Sequence, residues 1–509
     1  GFDAVEILGS AGYLISQFLS PLTNQRLDRY GGSWENRLRF PLAVVQVVRE
    51  AVGPDYPVLV RVAGNDFMLG GNTGQEALAF CQALEKAGVD AINVTGGWHE
   101  THVPQLTMQV PPGAFVYLAA NIKRGVSVPV IACNRINDPL VAEQILATEQ
   151  ADLVGVARGF LADPYWGRKA ESGLGDQICP CIGCNQGCLD RVFSGRQVTC
   201  LTNPRAGREK ETEITPADEV KKVLVVGGGP AGMTAARVLA LRGHRVSLWE
   251  QASELGGQLR LAAVPPGRQD FRRFIDYLES QLVRLGVEIR LNTMATKEDI
   301  LDGEYDEVVL ATGAREMQLP LAAPGAVQVV PAGDVLDGKV VAGRQVVVIG
   351  GGPTGIETAL YLATERGMKP ENWHFLAWYQ GESPAVLQEL LYRNPREITL
   401  IEQEGRIGKG LGPSTRWSML ADLKRLGIRT LVRHQALEIG ERGVLVEAEG
   451  ERKWIPAQTV VVAVGVKSDD GLYRELHGSY VKCHVIGDAA KPGDALDAVH
   501  GGFDLARII

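Results

Sequence analysis

The sequence predicts an α/β protein built from several domains, and three observations point to that class. Short apolar runs alternate with amphipathic stretches over about the first 170 residues, a pattern typical of parallel β/α units. Five cysteines then crowd into residues 179–200. Two strand-plus-glycine turns follow, in Val223–Gly232 and Val346–Gly355, and their similarity is an internal repeat. We therefore expect an α/β region, a cysteine-bearing segment and two further α/β regions, in that order.

The length and composition are those of a multidomain globular chain. The 509 residues are 45% hydrophobic and 22% charged, and roughly 100–200 residues per domain allow three or more domains. No apolar run approaches the ~18 residues that indicate a membrane helix. The net charge of −8 and the lack of a basic tract argue against nucleic-acid binding. Glycine is abundant, at 60 residues, and glycine-rich turns are where a backbone can approach a phosphate closely.

The first region contains five predicted strand–helix units. Its strands are predicted at Ala4–Leu8, Val58–Ala63, Ala91–Thr95, Val128–Cys133 and Leu153–Ala157. A closed barrel needs eight units and roughly 250 residues, so counting leaves a partial barrel and an open sheet as alternatives. Both place functional side chains at the carboxyl ends of the strands. Because no methionine precedes Gly1 and a strand begins at once, we expect a fragment whose original N-terminus, with any targeting segment, is not seen.

The first glycine turn has the fingerprint of a dinucleotide-binding unit. Gly227 permits the tight turn, Gly229 lets the backbone approach a pyrophosphate, and Gly232 allows close packing of helix against strand. Glu250 ends the next predicted strand, Arg245–Glu250, where a carboxylate can bind ribose hydroxyls. The strand, the helix, the acidic residue and a following Gly-Gly pair together favour ligand binding over a bare glycine turn.

The second glycine turn repeats the pattern with Gly350, Gly352 and Gly355. The acidic residue expected about 20 residues later is displaced, because Asn372–Arg396 looks like an insertion. Glu402, at the end of the next predicted strand, is the candidate. A carboxylate there accepts hydrogen bonds from a ribose 2′-OH and repels a 2′-phosphate, which favours NADH over NADPH. The alternative interpretation of Glu402 is a solvated loop charge.

The cysteine segment has the spacing of a metal site. Cys181, Cys184 and Cys188 form a CxxCxxxC motif, and Cys200 follows twelve residues later. Four thiolates suit either a tetrahedral zinc ion or a [4Fe–4S] cluster. Three close cysteines and one distant one favour the cluster. Cys179 is the spare cysteine of the segment.

The first region also carries candidate acid and cationic side chains just after its strands. Tyr13 follows the first strand and His99 the third, and the two are candidates for an acid pair that protonates a carbanion or an enolate. Each also has a simpler interpretation, as a tyrosine packed on a loop or a histidine satisfied by hydrogen bonds. Arg61, Arg135 and Arg158 follow strands as well, and three arginines at one end suit a phosphate and an electron-rich ring.

Together these residues resemble the old yellow enzyme relatives that carry an iron–sulfur cluster and a C-terminal FAD/NAD module. That group includes 2,4-dienoyl-CoA reductases, trimethylamine dehydrogenases and 2-enoate reductases, and the similarity covers the whole chain. It implies a partial TIM (β/α)8 barrel of about five units, an iron–sulfur segment and two Rossmann-like domains, the second inserted in the first. The expected divisions are 1–174 for the FMN-binding barrel, 175–220 for the cluster segment and linker, 221–338 and 461–509 for the FAD domain, and 339–460 for the NAD(P)H domain.

The resemblance also assigns roles to residues that stand at matching motifs. Tyr13 matches the proton donor and His99 its partner. The remaining assignments are substrate contacts at Thr23, Asn24, Gln25, Arg26, Glu100, Thr101 and His102; FMN contacts at Arg61, Arg135, Ala157 and Arg158; FAD contacts at Gln186, Gly227, Gly229, Gly232, Glu250, Gln258, Arg268 and Asp488; NADH contacts at Gly350, Gly352, Gly355 and Glu402; and [4Fe–4S] ligands at Cys181, Cys184, Cys188 and Cys200.

Three features refine the resemblance. The histidine-bearing run of simple old yellow enzymes is replaced here by Leu8–Tyr13, as it is in the dienoyl-CoA reductases. The CxxCxxxC spacing is that of the reductases, whereas trimethylamine dehydrogenases have CxxCxxC. Glu402 and Gln403 stand where the dienoyl-CoA reductases have a basic pair for the 2′-phosphate, so NADPH is the less favoured donor.

The resulting hypothesis is an enzyme that passes electrons from NADH through FAD and the [4Fe–4S] cluster to FMN. The final acceptor is the C=C bond of a conjugated enoyl- or dienoyl-CoA-type substrate, as in fatty acid β-oxidation, with Tyr13 as the proton donor. The alternatives are a 2-enoate reductase and a trimethylamine dehydrogenase-like amine demethylase. A non-enzymatic electron-transfer flavoprotein subunit would make the presence of Tyr13 and His99 a coincidence. We expect a cytoplasmic protein whose partners are small molecules, with the oligomeric state open.

Overall fold

The computed structural model describes residues 1–321, 325, 327–479 and 481–509, and it divides into two compact units, Gly1–Gly183 and Cys184–Ile509. Within the described residues, no helix is both long enough and apolar enough to cross a membrane.

The first unit is a parallel sheet whose strands are joined by helices, and the strands pair in chain order from β1 to β5. Its elements are β1 Val5–Gly9, α1 Leu14–Leu19, α2 Trp34–Val52, β2 Val58–Ala63, α3 Gly74–Lys86, β3 Ala91–Thr95, α4 Val116–Lys123, β4 Val130–Ala132, α5 Pro139–Ala147, β5 Leu153–Val154, α6 Arg158–Ala162, α7 Trp166–Glu171 and a 3₁₀ turn at Gly175–Gln177. Five β/α units are therefore present, as the sequence predicts. The fifth strand is shorter than predicted, because Ala157 is already the N-cap of α6.

Capping side chains mark the starts of α3 and α5 in this unit. The Thr73 hydroxyl accepts the N–H of Gln75, and the Glu76 carboxylate accepts the N–H of Thr73, which forms a capping box before α3. Asp138 accepts the N–H of Leu140 before α5. Because the strands are parallel, the loops that follow β1, β2 and β3 emerge at the same edge of the sheet, where candidate side chains can meet.

The second unit contains two parallel sheets built on the same plan. Its helices are α8 Leu189–Val192, α9 Pro230–Leu241, α10 Gln258–Ala262, α11 Asp270–Arg284, α12 Lys297–Asp302, α13 Ala332–Leu336, α14 Pro353–Thr364, α15 Pro370–Trp378, α16 Pro384–Tyr392, α17 Pro413–Arg425, α18 Gly471–Leu476 and α19 Ala495–Ala506, with a 3₁₀ turn at Gly487–Ala489. Its strands are β6 Lys222–Val226, β7 Arg245–Trp249, β8 Glu288–Arg290, β9 Glu307–Leu310, β10 Ala314–Glu316, β11 Gln328–Pro331, β12 Gln345–Ile349, β13 Glu397–Glu402, β14 Arg429–Val432, β15 Gln435–Gly440, β16 Gly443–Ala448, β17 Glu451–Pro456, β18 Thr459–Val462, β19 Val466–Ser468 and β20 Lys482–Val485.

The strand order shows how one sheet is inserted in the other. The first sheet has the order β20-β9-β6-β7-β8 and the second β11-β18-β12-β13-β14. The chain leaves the first sheet after β9, builds the second sheet, and returns with β20. This is the predicted insertion of one Rossmann-like sheet in another. A three-stranded antiparallel sheet, β15-β16-β17, and a two-stranded pair, β10-β19, complete the unit.

Candidate active site and cofactor-binding residues

Tyr13 and His99 lie side by side at the ends of β1 and β3. Their ring centroids are 5.4 Å apart in an edge-to-face arrangement, and both side chains are exposed. The backbone N–H of His99 donates to the carbonyl of Ala11 at 3.4 Å, which joins the two loops. Gly12 makes the turn with φ +83°, and a Cβ there would lie 3.0 Å from Glu100 Oε2. The structure thus brings together the two side chains that the sequence proposed as an acid pair.

Asp66 is a buried carboxyl at the same edge, and sequence reasoning missed it. It follows β2, its carboxylate accepts the N–H of Asn72 at 2.7 Å, and its carbonyl accepts the N–H of Trp98 at 3.1 Å. Burial raises the pKa of this carboxyl. Asp66 therefore holds the Trp98–His99 loop. Its position after a strand end, shared with Tyr13 and His99, is the sequence signal that could have revealed it.

The expected substrate-contacting segment 23–26 is held largely by its own hydrogen bonds. Asn24 is buried, and its amide donates to the carbonyls of Phe18 at 2.6 Å and Tyr30 at 2.8 Å. The exposed Arg26 forms an ion pair with Asp28. The other members are placed as follows: Thr23 donates to the Gln17 carbonyl, Gln25 donates to the Pro21 carbonyl, Thr101 is buried and donates to the Phe67 carbonyl, and Glu100 and His102 are exposed.

The three arginines of the first unit differ in their surroundings. Arg61 lies within β2 rather than after it. It pairs with Glu6 at 2.9 Å, and its Nε is buried with no hydrogen-bond partner among the described residues. Arg135 is buried, and its Nε donates to the Val110 carbonyl at 2.8 Å. One guanidinium nitrogen of Arg158 donates to the Leu106 carbonyl at 2.7 Å, next to the exposed Ala157. The orphaned Nε of Arg61 fits a position that a flavin ring would complete.

A polar row extends from Arg61 across the strands of the first unit. Glu6 Oε1 accepts from the amide of Asn93 at 2.6 Å, and Asn93 Oδ1 accepts from the thiol of Cys133 at 2.7 Å. Burial raises the pKa of the Cys133 thiol to about 11. Cys133 is therefore a neutral donor that helps hold Arg61, through Glu6 and Asn93, and not a reactive thiolate.

Part of the cysteine motif is assembled by one close backbone approach. The carbonyl of Gly187 accepts the N–H of Thr199 at 2.7 Å, and a Cβ on Gly187 would lie 2.9 Å from Cys200 Cα. This contact brings Cys200, distant in the sequence, against the loop that carries Cys184 and Cys188. The ring of His500, on α19, lies 3.0 Å from the Cys200 carbonyl.

Cys181 belongs to the first unit, because the boundary between the units falls after Gly183. It is buried, and its carbonyl accepts from the amide of Asn137 at 3.3 Å. In the described part of the chain, no group of three or more His, Cys, Asp or Glu side chains is arranged to hold a metal ion. The assignment of the four cysteines as cluster ligands therefore rests on their spacing, on the thiol donor set and on the Gly187 contact.

The first glycine turn is closely packed at Gly232, inside α9, and open at Gly229, where α9 begins. A Cβ on Gly232 would overlap the carbonyl oxygen of Gly227, and Gly227 itself has φ +107°. In contrast, no neighbouring atom of the described residues lies within 4 Å of a Cβ built on Gly229, the N-cap of α9. Glu250 Oε2 accepts the N–H of Gly228 at 2.7 Å. A helix N-terminus that is open on one side suits a pyrophosphate, so the turn fits FAD.

The second glycine turn has the same construction. A Cβ on Gly355 would overlap the carbonyl oxygen of Gly350, whereas a Cβ on Gly352 would meet no neighbouring atom within 4 Å in the part of the chain that the structure describes. Glu402 Oε2 accepts the N–H of Gly351 at 2.8 Å, and its Oε1 accepts from the backbone of Glu404. Glu402 is therefore a fixed part of the turn rather than a solvated loop charge, and the turn fits a second dinucleotide.

The remaining expected FAD contacts have mixed surroundings. Gln186 Oε1 is buried without a hydrogen-bond partner in the described residues, which suits a ligand contact. Gln258 donates to the Ala314 carbonyl at 3.3 Å. Asp488 accepts the N–H of Gly493 at 3.0 Å, and burial raises the pKa of its carboxyl. Arg268 pairs with Glu357 of α14 at 2.6 Å, so it joins the two Rossmann-like sheets through a helix of the second.

The two glycine cradles, the cysteine segment and the β/α sheet of the first unit define a class, the multi-cofactor flavin oxidoreductases. Residues 1–177 match the NADH:flavin oxidoreductase / NADH oxidase family, and residues 221–485 match the pyridine nucleotide-disulphide oxidoreductase family. The chain belongs to the NADH:flavin oxidoreductase / NADH oxidase family, in the branch joined to a pyridine nucleotide-disulphide oxidoreductase module. Its cofactors are FMN, FAD, a [4Fe–4S] cluster and NADH, which answers the choice between zinc and iron–sulfur.

Similar proteins match over the whole chain. A metal reductase of Desulforamulus reducens is 53% identical over 99% of this chain and 76% of its own. An NADH oxidase of Thermoanaerobacter brockii is 41% identical, over 99% and 74%. A cinnamate reductase of Clostridium sporogenes is 34% identical, over 100% and 75%. The solved complex of 2-naphthoyl-CoA reductase with 2-naphthoyl-CoA is 33% identical, covers 100% of this chain and 74% of its own, and has a TM-score of 0.90.

Proposed function

We propose that the protein is an NADH-dependent reductase of the C=C bond of conjugated enoyl- or dienoyl-CoA-type thioesters. The observation that carries the proposal is the edge-to-face pair of Tyr13 and His99 at the strand ends, 5.4 Å apart. Two named relatives support the chemistry, since one is a cinnamate reductase and one a reductase of an aromatic CoA thioester. A conjugated carbonyl beside a C=C bond is common to both names.

The cofactors, when bound, carry electrons from NADH and supply the hydride equivalent for the far carbon of the conjugated system. We assign the FMN contacts to Arg61, Arg135, Ala157 and Arg158, and the cluster ligands to Cys181, Cys184, Cys188 and Cys200. The sheet of β6–β9 and β20 would hold FAD, and the sheet of β11–β14 and β18 would hold NADH through Glu402. The predicted boundaries at 338/339 and 460/461 therefore shift, because β11 Gln328–Pro331 and the whole of β18 Thr459–Val462 belong to the second sheet. Residues 1–174 and 175–220 would form the FMN barrel and the cluster segment.

The side chains of this chain would supply the proton. The Tyr13 hydroxyl is exposed and can donate its proton to the carbon alpha to the carbonyl, which completes the addition of H₂ across the bond. His99 packs against the Tyr13 ring and orients it. Asp66 holds the loop that carries His99, through the N–H of Trp98. The acid pair thus rests on three strand ends of one sheet, which keeps its geometry fixed.

A substrate panel tests the proposal. The full-length protein, purified without oxygen, is given NADH with cinnamoyl-CoA, a 2,4-dienoyl-CoA, free cinnamate and trimethylamine. Consumption of NADH with the thioesters, and formation of the saturated or partly saturated product, is the expected result. Turnover of free cinnamate alone would identify a 2-enoate reductase instead. The name of the cinnamate reductase relative agrees with this alternative as well. Demethylation of the amine without thioester turnover would refute the proposal.

A further inference from the structure

The inserted segment after α14 is a helical hairpin. Its two helices, α15 and α16, are joined by a short loop and stand between α14 and β13. The second glycine turn lies at the start of α14, and Glu402 lies at the end of β13. The hairpin leaves from the opposite ends of both elements, so it lies away from the edge of the sheet that would hold NADH.

The hairpin exposes an unusual set of aromatic side chains. No described residue of α15 is buried, and Trp378, Tyr379 and Phe375 are 72%, 70% and 58% exposed. Phe375 packs on Tyr379 with ring centroids 5.1 Å apart, and His374 on Trp378 at 6.0 Å. The rings thus contact one another along the helix instead of a core. Aromatic side chains grouped in this way are typical of the centres of protein interfaces.

The exposed rings of Phe375, Trp378 and Tyr379 form an aromatic ridge on α15. A groove of about 890 Å³ lies beside this ridge. Its apolar walls come from both helices, at Trp373 and Ala377 on one side and Leu387 and Leu391 on the other. One hairpin therefore carries both a convex ridge and a concave groove. A two-fold interface requires a patch that is complementary to itself, and a ridge beside a groove meets that requirement.

The exposed surface is close to the amount that a stable dimer needs. Trp373 and Tyr392 are each 40% exposed, in addition to the three rings of the ridge. A fully exposed aromatic side chain offers roughly 150–250 Å², so the five rings offer roughly 400–700 Å² before any aliphatic contribution. A standard interface buries about 800 Å² per partner.

The charge of the hairpin is also compatible with self-contact. Residues 370–392 contain three carboxylates and no lysine or arginine. None of these carboxylates belongs to the aromatic ridge, and Glu382 is the one that lines the groove. The ridges of two copies can therefore approach each other without like charges meeting at the centre of the interface.

We propose that the α15–α16 hairpin is a self-association surface, which docks on the same hairpin of a second copy of this chain about a two-fold axis. The inference is independent of the substrate, because the hairpin lies away from the acid pair along the chain and from the NADH edge of its own sheet. Each copy would place its Trp378–Tyr379 ridge in the groove of the other, so that the two ridges lie side by side across the two-fold axis.

Sedimentation of the full-length holoenzyme tests this surface. The double substitution Trp378→Glu with Tyr379→Glu should halve the mass of the particle and leave NADH-dependent reduction of an artificial acceptor unchanged. Leu140→Glu, at an equally exposed apolar residue of α5, is the matched control and should leave the mass unchanged. A monomeric wild-type protein, or a double variant with the wild-type mass, would overturn the proposal.

A charge-swap experiment makes the test specific to contact between hairpins. A second double variant, Trp378→Lys with Tyr379→Lys, should also dissociate when alone. Mixing it with the glutamate variant should restore the wild-type mass, because opposite charges then face each other across the two-fold axis. Failure of the mixture to reassociate, while both variants dissociate alone, would show that the hairpin acts at a distance and would overturn direct docking.

Discussion

Glu402 Oε2 accepts a hydrogen bond from the backbone N–H of Gly351 at 2.8 Å. Glu250 makes the equivalent bond to Gly228 at 2.7 Å in the first sheet. The two carboxylates therefore hold the same place in two glycine turns. In such turns a carboxylate at this place receives the ribose hydroxyls of the dinucleotide. The match supports Glu402 as the residue that selects NADH, despite the hairpin inserted before it.

Glu402→Gln should weaken NADH binding and reduce the preference for NADH over NADPH. A hydrogen bond to a charged group contributes about 1.5–3 kcal/mol, so the KM for NADH should rise roughly tenfold or more. Loss of the negative charge should lower the KM for NADPH, because repulsion of the 2′-phosphate is removed. Glu404→Gln is the control, since the exposed Glu404 pairs with Lys409 at 2.8 Å. Equal selectivity in wild type and Glu402→Gln would refute the assignment.

Tyr13→Phe should slow reduction of the C=C bond without affecting the entry of electrons from NADH. Loss of a positioned acid lowers rates by typically 10²–10⁴-fold. Steady-state assays with a CoA thioester and with an artificial electron acceptor separate the two steps, and only the first should fall. Tyr117→Phe, at an exposed tyrosine of α4, should change neither. Wild-type thioester turnover by Tyr13→Phe would contradict the role of donor.

Gly187→Ala should reduce the iron content of the protein. An added Cβ would lie 2.8 Å from the Thr199 carbonyl oxygen and 2.9 Å from Cys200 Cα, so the backbone that carries Cys200 must move. Disturbing the residues that orient metal ligands typically costs 10–100-fold in metal affinity. Chemical analysis of iron and acid-labile sulfide per chain measures the effect. Gly175→Ala has open space around the added Cβ and should retain the wild-type content.

Gly232→Ala and Gly355→Ala should show that FAD and NADH bind to different glycine turns. In each variant the new Cβ would overlap the carbonyl of the first glycine of the turn, Gly227 or Gly350. Gly232→Ala should lose FAD and retain FMN, as measured by chromatography of the released flavins. Gly355→Ala should keep both flavins and bind NADH more weakly in a titration. Loss of FAD from both variants would show that the two sheets do not bind their ligands independently.

Much of this architecture could be predicted from the sequence because its signals are local. Consecutive residues are enough to predict these elements: apolar runs predict strands β2 and β3, and regularly spaced glycines predict both glycine turns. Contacts between distant residues leave no such pattern. Arg268 stays a predicted FAD contact, and its ion pair with Glu357 at 2.6 Å could not be read from the sequence. The approach of Gly187 to Cys200 and the aromatic ridge of the inserted hairpin likewise become visible only when the chain is folded.

Asp66→Asn should remove a pH dependence of stability that the wild type has. Burial raises the pKa of Asp66 in the folded protein, so just above its ordinary value near 4 the folded state keeps a proton that the unfolded state has released. Wild-type stability, relative to Asp66→Asn, should therefore fall as the pH rises through that window. The difference in stability is measured as the urea unfolding midpoint of both proteins, at steps of about one pH unit from about pH 4 to about pH 7.

Asp28→Asn gives the opposite sign and serves as the control. The Arg26 guanidinium lowers the pKa of the Asp28 carboxyl, so its stabilising effect is present above the ordinary pKa and is lost as the pH falls. The wild type should therefore gain stability relative to Asp28→Asn as the pH rises, by a small amount because the pair is exposed. If the Asp66 and Asp28 differences had the same sign, Asp66 would be ionised in the folded protein, and its hydrogen bond from Asn72 would be a charged one.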